Sequence, residues 1–133
     1  MRWSLERGRL IMGTSFGVNG RLFNESEVAV RMQLGAVQEW TVGFDLSIIG
    51  VAAGLAHPFH LHTNTFQIVG IPAALQKLSA LGHEGDWRDT LDTPLDGTFR
   101  MRFTASDFRG KMPFHCHEAQ HSDYGMMANA VVE

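Results

Sequence analysis

The sequence is poor in three features that mark common protein classes: paired cysteines, long apolar runs and basic runs. Cys116 is the only cysteine among 133 residues, so no disulfide can form within the chain. No apolar run approaches the roughly 20 residues that a membrane-spanning helix needs, so we expect no membrane insertion. The formal net charge is −3 and Lys and Arg are scattered, so we expect no nucleic-acid partner.

The first residues also lack the character of an export signal. The segment Met1–Arg7 has charges where a signal peptide has its apolar core. The chain is therefore either cytoplasmic or a domain of a longer precursor, and composition favours neither, so localisation stays open. With the length of one ordinary domain and no repeat or linker, residues 1–133 are predicted to form a single domain.

Apolar residues recur with a period of two, which is typical of strands that place one face on a core. The clearest alternation and the further strand candidates lie at residues 27–34, 39–44, 98–104, 4–12, 66–69, 112–116 and 127–132. Turn signals at Asn19-Gly20 and Asp96-Gly97 separate such segments. Leu75, Leu78 and Leu81 have helical spacing, but Gly82 follows at once. The pattern predicts an all-β chain folded as an antiparallel sandwich.

Six of the seven histidines fall in two short clusters. The first is His57-Pro-Phe-His60-Leu-His62, and the second runs from His115-Cys116-His117 through His121 to Met126. The seventh, His83, stands alone in a glycine-rich stretch, and we expect it to be an ordinary surface or core residue.

Cys116 ends an extended segment, so strand alternation directs its side chain away from those of His115 and His117. His121 and Met126 follow at intervals of five residues. A thiolate, an imidazole and a thioether that return on one loop are three of the ligands of a blue-copper site, with methionine as the weak axial one. His57 is available as the second imidazole, and Pro58 biases its backbone toward an extended conformation.

The remaining four histidines form two His-x-His pairs. His60 and His62 share a face if the segment is extended, and His115 and His117 do likewise. Two such pairs on one side of the domain make half of a polynuclear copper cage. Because Cys116 is bonded to both neighbours, an electron at a copper on its sulfur has a short bonded route to that cage.

The chain resembles the C-terminal cupredoxin domain of a bacterial multicopper oxidase, in the family of laccases, bilirubin oxidases and cuprous oxidases. The matching segments cover nearly the whole chain in the family order: Phe16-Gly-Val-Asn-Gly-Arg21, Leu34-Gly-Ala-Val-Gln-Glu-Trp-Thr41, His57-Pro-Phe-His-Leu-His62, Trp87-Arg-Asp-Thr90 and His115-Cys-His through Gly125-Met-Met127. The resemblance implies a single cupredoxin-like Greek-key β-sandwich.

The resemblance also implies the role of each ligand. The type 1 copper ligands would be His57, Cys116, His121 and Met126. The type 2 and type 3 ligands would be His60 for type 2 and His62, His115 and His117 for type 3. Electrons would enter at the type 1 copper and pass through His115, Cys116 and His117, the catalytic residues, to a trinuclear cluster that reduces dioxygen to water.

Two departures from the family pattern limit this expectation. The family completes its trinuclear cluster with histidines of an N-terminal domain, so the partner here is expected to be another cupredoxin domain or a copy of this chain. Many bacterial relatives also carry an acid after the histidine that matches His121, where this chain has Ser122; Glu118 and Asp123 are the nearby acids. The electron donor is expected to be a small molecule or a metal ion.

Two alternatives remain open. A mononuclear blue-copper module would transfer electrons without oxidase activity, but it has no need of the His-x-His pairs. Zinc also accepts cysteine with histidine, although Met126 argues against it because zinc has little use for a thioether. Among the other residues, Met101 is predicted to lie in the core, Met112 and Met127 are undecided, and Asp89 is a candidate acceptor for a ligand histidine.

Overall fold

The structure is a computed structural model that describes residues 9–12, 17–44, 57–73, 82–93 and 98–133. These residues include ten strands and one complete short helix: β1 Arg9–Met12, β2 Val30–Met32, β3 Val37–Phe44, β4 Pro58–Leu61, β5 Phe66–Gly70, β6 Trp87–Arg88, β7 Thr90–Asp92, β8 Thr98–Thr104, β9 Gly110–Cys116, α1 Ala119–Asp123 and β10 Met127–Val132. No helix in this part of the chain has the length and apolar character needed to cross a membrane.

The strands form two five-stranded sheets, so the prediction of an all-β cupredoxin-like sandwich is confirmed. The first sheet has the order β1-β3-β8-β5-β6, and the second has the order β2-β10-β9-β4-β7. The antiparallel pairing expected of the sandwich is interrupted at two edges, where β1 pairs with β3 and β2 pairs with β10 in parallel. Parallel neighbours need a long connection between them. Between β1 and β3 the chain crosses to the second sheet, where it forms β2, before it returns.

Most predicted strands are present, and several of them have shifted ends. Strands β8 and β10 have the predicted bounds, whereas β2 is shorter than the predicted segment 27–34. A turn whose Glu27 amide donates to Asn24 precedes β2, and Gly35 with φ of 80° follows it, so both ends leave the extended conformation. Residues 4–8, Asp96-Gly97 and the leucines at 75–81 lie outside the described residues.

The Asn19-Gly20 turn is confirmed. Both residues have positive φ, 51° and 76°, as a two-residue turn between paired residues requires. Val18 and Arg21 on either side exchange both backbone hydrogen bonds, with N···O distances of 2.9 and 3.1 Å.

Aromatic side chains join the two sheets across the core. Trp40 on β3 meets Phe114 on β9 edge to face with 5.3 Å between ring centroids, and Phe59 on β4 lies 6.1 Å from Phe99 on β8. Met101 is fully buried, as predicted, and Met112 is buried as well. The packed interior therefore lies directly behind β4 and β9, the strands that carry the histidine clusters.

The buried position of Met101 predicts a large effect of truncation. We expect Met101→Ala to lower the free energy of unfolding of the metal-free protein by about 2–5 kcal/mol, because it leaves a cavity between the sheets. Val37→Ala is a suitable control, since Val37 is 65% exposed on the neighbouring strand and its truncation should cost less than about 0.5 kcal/mol. Urea unfolding measures both values, and equal losses would contradict this account of the core.

Candidate metal centre

The pairing of β4 with β9 brings the two histidine clusters together. Their antiparallel register places His60 opposite His115 and Phe59 opposite Cys116. Alternation along β9 then directs consecutive side chains to opposite faces. The Cys116 side chain is fully buried, whereas His115 is only half-buried on the other face. The predicted division of this segment between two sites is present in the structure.

The first site, here called the buried group, consists of His57, Cys116 and His121. The Cys116 Sγ lies 3.6 Å from Nδ1 of each histidine, and the two Nδ1 atoms lie 3.1 Å apart. The thioether residue Met126 is fully buried. Its carbonyl accepts the Cys116 amide and its own amide donates to His121, both at 3.0 Å, so the backbone holds Met126 beside the group.

Helix α1 brings His121 back toward Cys116, and the sequence did not predict it. It has only five residues. The carbonyls of Glu118, which precedes the helix, and of Gln120 accept backbone hydrogen bonds from Ser122 and Tyr124, both at 3.1 Å. Gly125, with φ of 108°, follows the turn and lets the chain enter β10. The glycine was the available signal, but a single helical turn gives no detectable periodicity.

The donor set of the buried group fits one soft or borderline metal ion. Metal–nitrogen and metal–sulfur bonds in such sites are about 2.0–2.3 Å long. Donor atoms separated by 3.1–3.6 Å can therefore contact one ion without rearrangement of the backbone. Two imidazoles and a thiol beside a methionine are the ligand types of a blue-copper site.

Burial sets the protonation of the buried group. Desolvation first, and the neighbouring charge of His121 second, lower the pKa of His57 to about 4. Desolvation raises the pKa of the Cys116 thiol. A hydrogen bond from the Glu118 backbone opposes this shift, and the charges of Glu118 and Asp92 add to it. At neutral pH the protein therefore presents a neutral His57 ready to bind a metal and a thiol that still carries its proton.

The second site, here called the surface histidine group, consists of His60, His62 and His115. One ring nitrogen of each lies within 4.8 Å of the others, and all three side chains are half-buried. The Nε2 atoms of His62 and His115 are 2.9 Å apart. Two imidazole nitrogens at this distance repel each other unless a proton or a cation lies between them, so the arrangement also fits a metal.

The fourth predicted residue of this site, His117, lies just beside the group. Its ring centroid is 5.3 Å from that of His60 and 5.8 Å from that of His115, and its side chain is exposed. The structure therefore brings all four His-x-His residues together at one surface.

Backbone carbonyls orient two of these rings. His60 Nδ1 lies 3.0 Å from the Asp89 carbonyl and 2.9 Å from the Thr90 hydroxyl, and His115 Nδ1 lies 2.8 Å from the Cys116 carbonyl. A carbonyl only accepts, so each Nδ1 carries the proton and each Nε2 keeps its lone pair for a metal. The Asp89 contact that the sequence suggested is made by its main chain, and Thr90 was missed as a contact.

Two members of the surface histidine group, His60 and His62, have lowered pKa values. Desolvation lowers the pKa of His60 and of His62, and the charge of His115 lowers both further. His83 belongs to neither group: it is exposed, with its Nδ1 3.9 Å from Asp86. Its expected ordinary role is consistent with this surface position.

The raised thiol pKa predicts a proton balance for metal binding. At pH 7 the Cys116 thiol must lose its proton when a metal binds to sulfur. Metal binding by the wild type should therefore release one more proton per chain than metal binding by the Cys116→Ser variant. Affinity should therefore rise roughly tenfold per pH unit below the thiol pKa. Zn²⁺ titration calorimetry in two buffers of different ionisation enthalpy measures the release. An equal release by both proteins would exclude sulfur as a ligand.

Comparison with known proteins agrees with this geometry. A laccase of Haloferax volcanii is 32% identical over 117 residues, which cover 87% of this chain and 19% of that protein. A bilirubin oxidase of Albifimbria verrucaria is 25% identical, covering 90% of this chain and 21% of that protein. The solved structure of a laccase from Pediococcus acidilactici matches with a TM-score of 0.76 at 27% identity, covering 94% of this chain and 26% of that one.

The chain thus spans about a fifth of the length of these curated relatives. The family profile described as multicopper oxidase matches residues 4–133, which is nearly the whole sequence. The chain belongs to the multicopper oxidase family.

Proposed function

We propose that this chain is the part of a laccase-like multicopper oxidase that receives electrons at a type 1 copper and delivers them to a trinuclear copper cluster. With copper bound, that cluster would supply the reduction of dioxygen to water. One observation carries the proposal: Cys116 points into the buried group while its neighbour His115 belongs to the surface histidine group. Two metal sites therefore share a single stretch of backbone.

Copper is the cofactor that the family implies, and both donor sets suit it. The residues that would hold type 1 copper are His57, Cys116, His121 and Met126. The residues that would hold type 2 and type 3 copper are His60 for type 2 and His62, His115 and His117 for type 3. When bound, copper supplies one-electron redox chemistry. Met126, whose side chain is buried and whose backbone is hydrogen-bonded to Cys116 and His121, favours copper over zinc because zinc has little use for a thioether.

The chain itself provides two routes between the sites. One is covalent, from the Cys116 side chain along the backbone to the imidazoles of His115 and His117. The other is shorter, because His115 Nδ1 donates a hydrogen bond of 2.8 Å to the Cys116 carbonyl. Both routes lie within three consecutive residues.

A partner must complete the surface histidine group. Four histidines of one chain are too few for three coppers, and their exposed or half-buried position leaves them open to further ligands. The partner is another cupredoxin domain or a copy of this chain, which would add the same four histidines across a two-fold contact. A small molecule or a metal ion would supply the electrons, and dioxygen would accept them.

A mononuclear electron-transfer module is the second candidate. The observation that favours it is that the buried group is complete within this chain, whereas the surface histidine group is open. Copper content separates the two functions, as the second of the following predictions specifies.

The type 1 assignment predicts a colour. Copper-loaded protein should be blue because of thiolate-to-copper charge transfer, and Cys116→Ser should abolish the band. Met126→Leu should keep most of the colour and raise the reduction potential, because the axial ligand tunes it. Absorption spectroscopy and redox titration measure both effects, and a colourless copper-loaded wild type would refute the assignment.

The trinuclear cluster predicts a copper content above one per chain. Purified assemblies of known native mass should bind more than one copper per chain and consume dioxygen with a reducing donor. His62→Ala combined with His115→Ala should reduce the content to one and keep the blue colour, since the buried group is intact. If every assembly of the wild type holds one copper per chain, the electron-transfer module is the correct function.

A further inference from the structure

The main chain at Asp89 passes from one sheet to the other directly beside His60. Asp89 lies between β6, at the edge of the first sheet, and β7, at the edge of the second. Its carbonyl accepts the Leu61 amide and contacts His60 Nδ1, both at 3.0 Å. Thr90 is paired with His60 in the register of β7 with β4. The His60 ring is therefore fixed at its Nδ1 edge by two consecutive residues.

The hydrogen bonds of Asp89 and Thr90 determine where the protons of the Thr90 hydroxyl and of the His60 ring lie. The Thr90 hydroxyl donates to the Asp89 carboxylate at 3.0 Å, so its oxygen is left as an acceptor toward His60 Nδ1 at 2.9 Å. The Asp89 carbonyl is an acceptor as well. The Thr90 oxygen and the Asp89 carbonyl both accept from Nδ1, so the proton of His60 lies on Nδ1 and the lone pair of Nε2 is available to a metal.

The Asp89 carboxylate matters because a threonine hydroxyl can rotate. Without an acceptor of its own, the Thr90 hydroxyl can donate to Nδ1 and select the opposite tautomer, with the proton on Nε2. That tautomer cannot bind a metal through Nε2. A hydrogen bond to an ionised carboxylate is stronger than a neutral one, so it directs the hydroxyl proton away from the ring.

We propose that Thr90, with its hydroxyl oriented by the Asp89 carboxylate, is a positioning residue that holds His60 in the Nδ1-protonated tautomer and presents Nε2 to the surface histidine group. The inference rests on the proposed function for the identity of the metal cluster. The tautomer itself is a property of the metal-free protein and is measurable without copper.

Long-range ¹H–¹⁵N correlation spectra of the metal-free protein at pH 8 report the tautomer directly, since the two imidazole nitrogens of a neutral histidine have distinct shifts. Wild-type His60 should carry its proton on Nδ1. In Thr90→Val the ratio of the Nδ1-protonated to the Nε2-protonated form should fall about fivefold, the contribution of one neutral hydrogen bond. Asp89→Ala should shift the ratio in the same direction.

If Thr90 acted only through its shape, Thr90→Val should leave the tautomer of His60 unchanged, because valine keeps the β-branched shape that suits strand β7. If the hydroxyl matters, Thr90→Ser should keep the wild-type tautomer, because serine retains the hydroxyl. Thr104→Val, on the exposed face of β8, is the matched control and should leave His60 unchanged. Zn²⁺ binding to the surface histidine group, measured in a Cys116→Ser background, should weaken about tenfold in Thr90→Val and recover in Thr90→Ser.

Each outcome decides the proposal. A wild-type His60 with its proton on Nε2, an unchanged ratio in Thr90→Val, or a failure of Thr90→Ser to restore it would overturn the role of Thr90. A protein that holds one copper per chain but shows the expected tautomers would refute the trinuclear cluster and leave this inference intact. The two failures are therefore distinguishable.

Discussion

The antiparallel pairing of β4 with β9 is the constraint on which both candidate metal sites depend. Side chains alternate along a strand, so the register that sets His60 opposite His115 also places Cys116 on the other face. A slip of one residue would turn the thiol to the surface and the imidazole into the core. The aromatic contacts of Phe59 and Phe114 behind the pair, 6.1 Å between ring centroids, oppose such a slip.

The environment of the buried group disfavours the charged forms of its side chains, yet the fold holds these side chains close together. Burial lowers the pKa of His57 and raises that of Cys116, so both charged forms are disfavoured without a metal. The backbone still holds the ligands in place: the Thr93 amide donates to the His57 carbonyl at 3.0 Å, and the His117 amide donates to the Pro58 carbonyl at 2.7 Å. The packing energy of the sandwich maintains this frame, and a bound cation would relieve the electrostatic cost.

The two sites differ in how far one chain can complete them. The members of the buried group come from the residue before β4, the end of β9 and helix α1, and His57 and Cys116 are buried while His121 is half-buried. The surface histidine group lies on the outer side of the same strand pair, where half-buried rings remain open to a neighbour. The chain spans about a fifth of the length of its curated relatives. Under the proposed function, another domain or chain would supply the remaining ligands of the surface histidine group.

The amino-acid sequence by itself determined the strands at 98–104 and 127–132, the turn at Asn19-Gly20 and the separation of Cys116 from its flanking histidines. All of these follow from local rules: a period of two, the preference for positive φ, and alternation. Only the tertiary structure decided the parallel edge pairs, the single turn of α1 and the contact of Thr90 with His60. Those features involve residues that are distant in the chain or too few to form a pattern. The interactions that stabilise them therefore form only when the two sheets pack together.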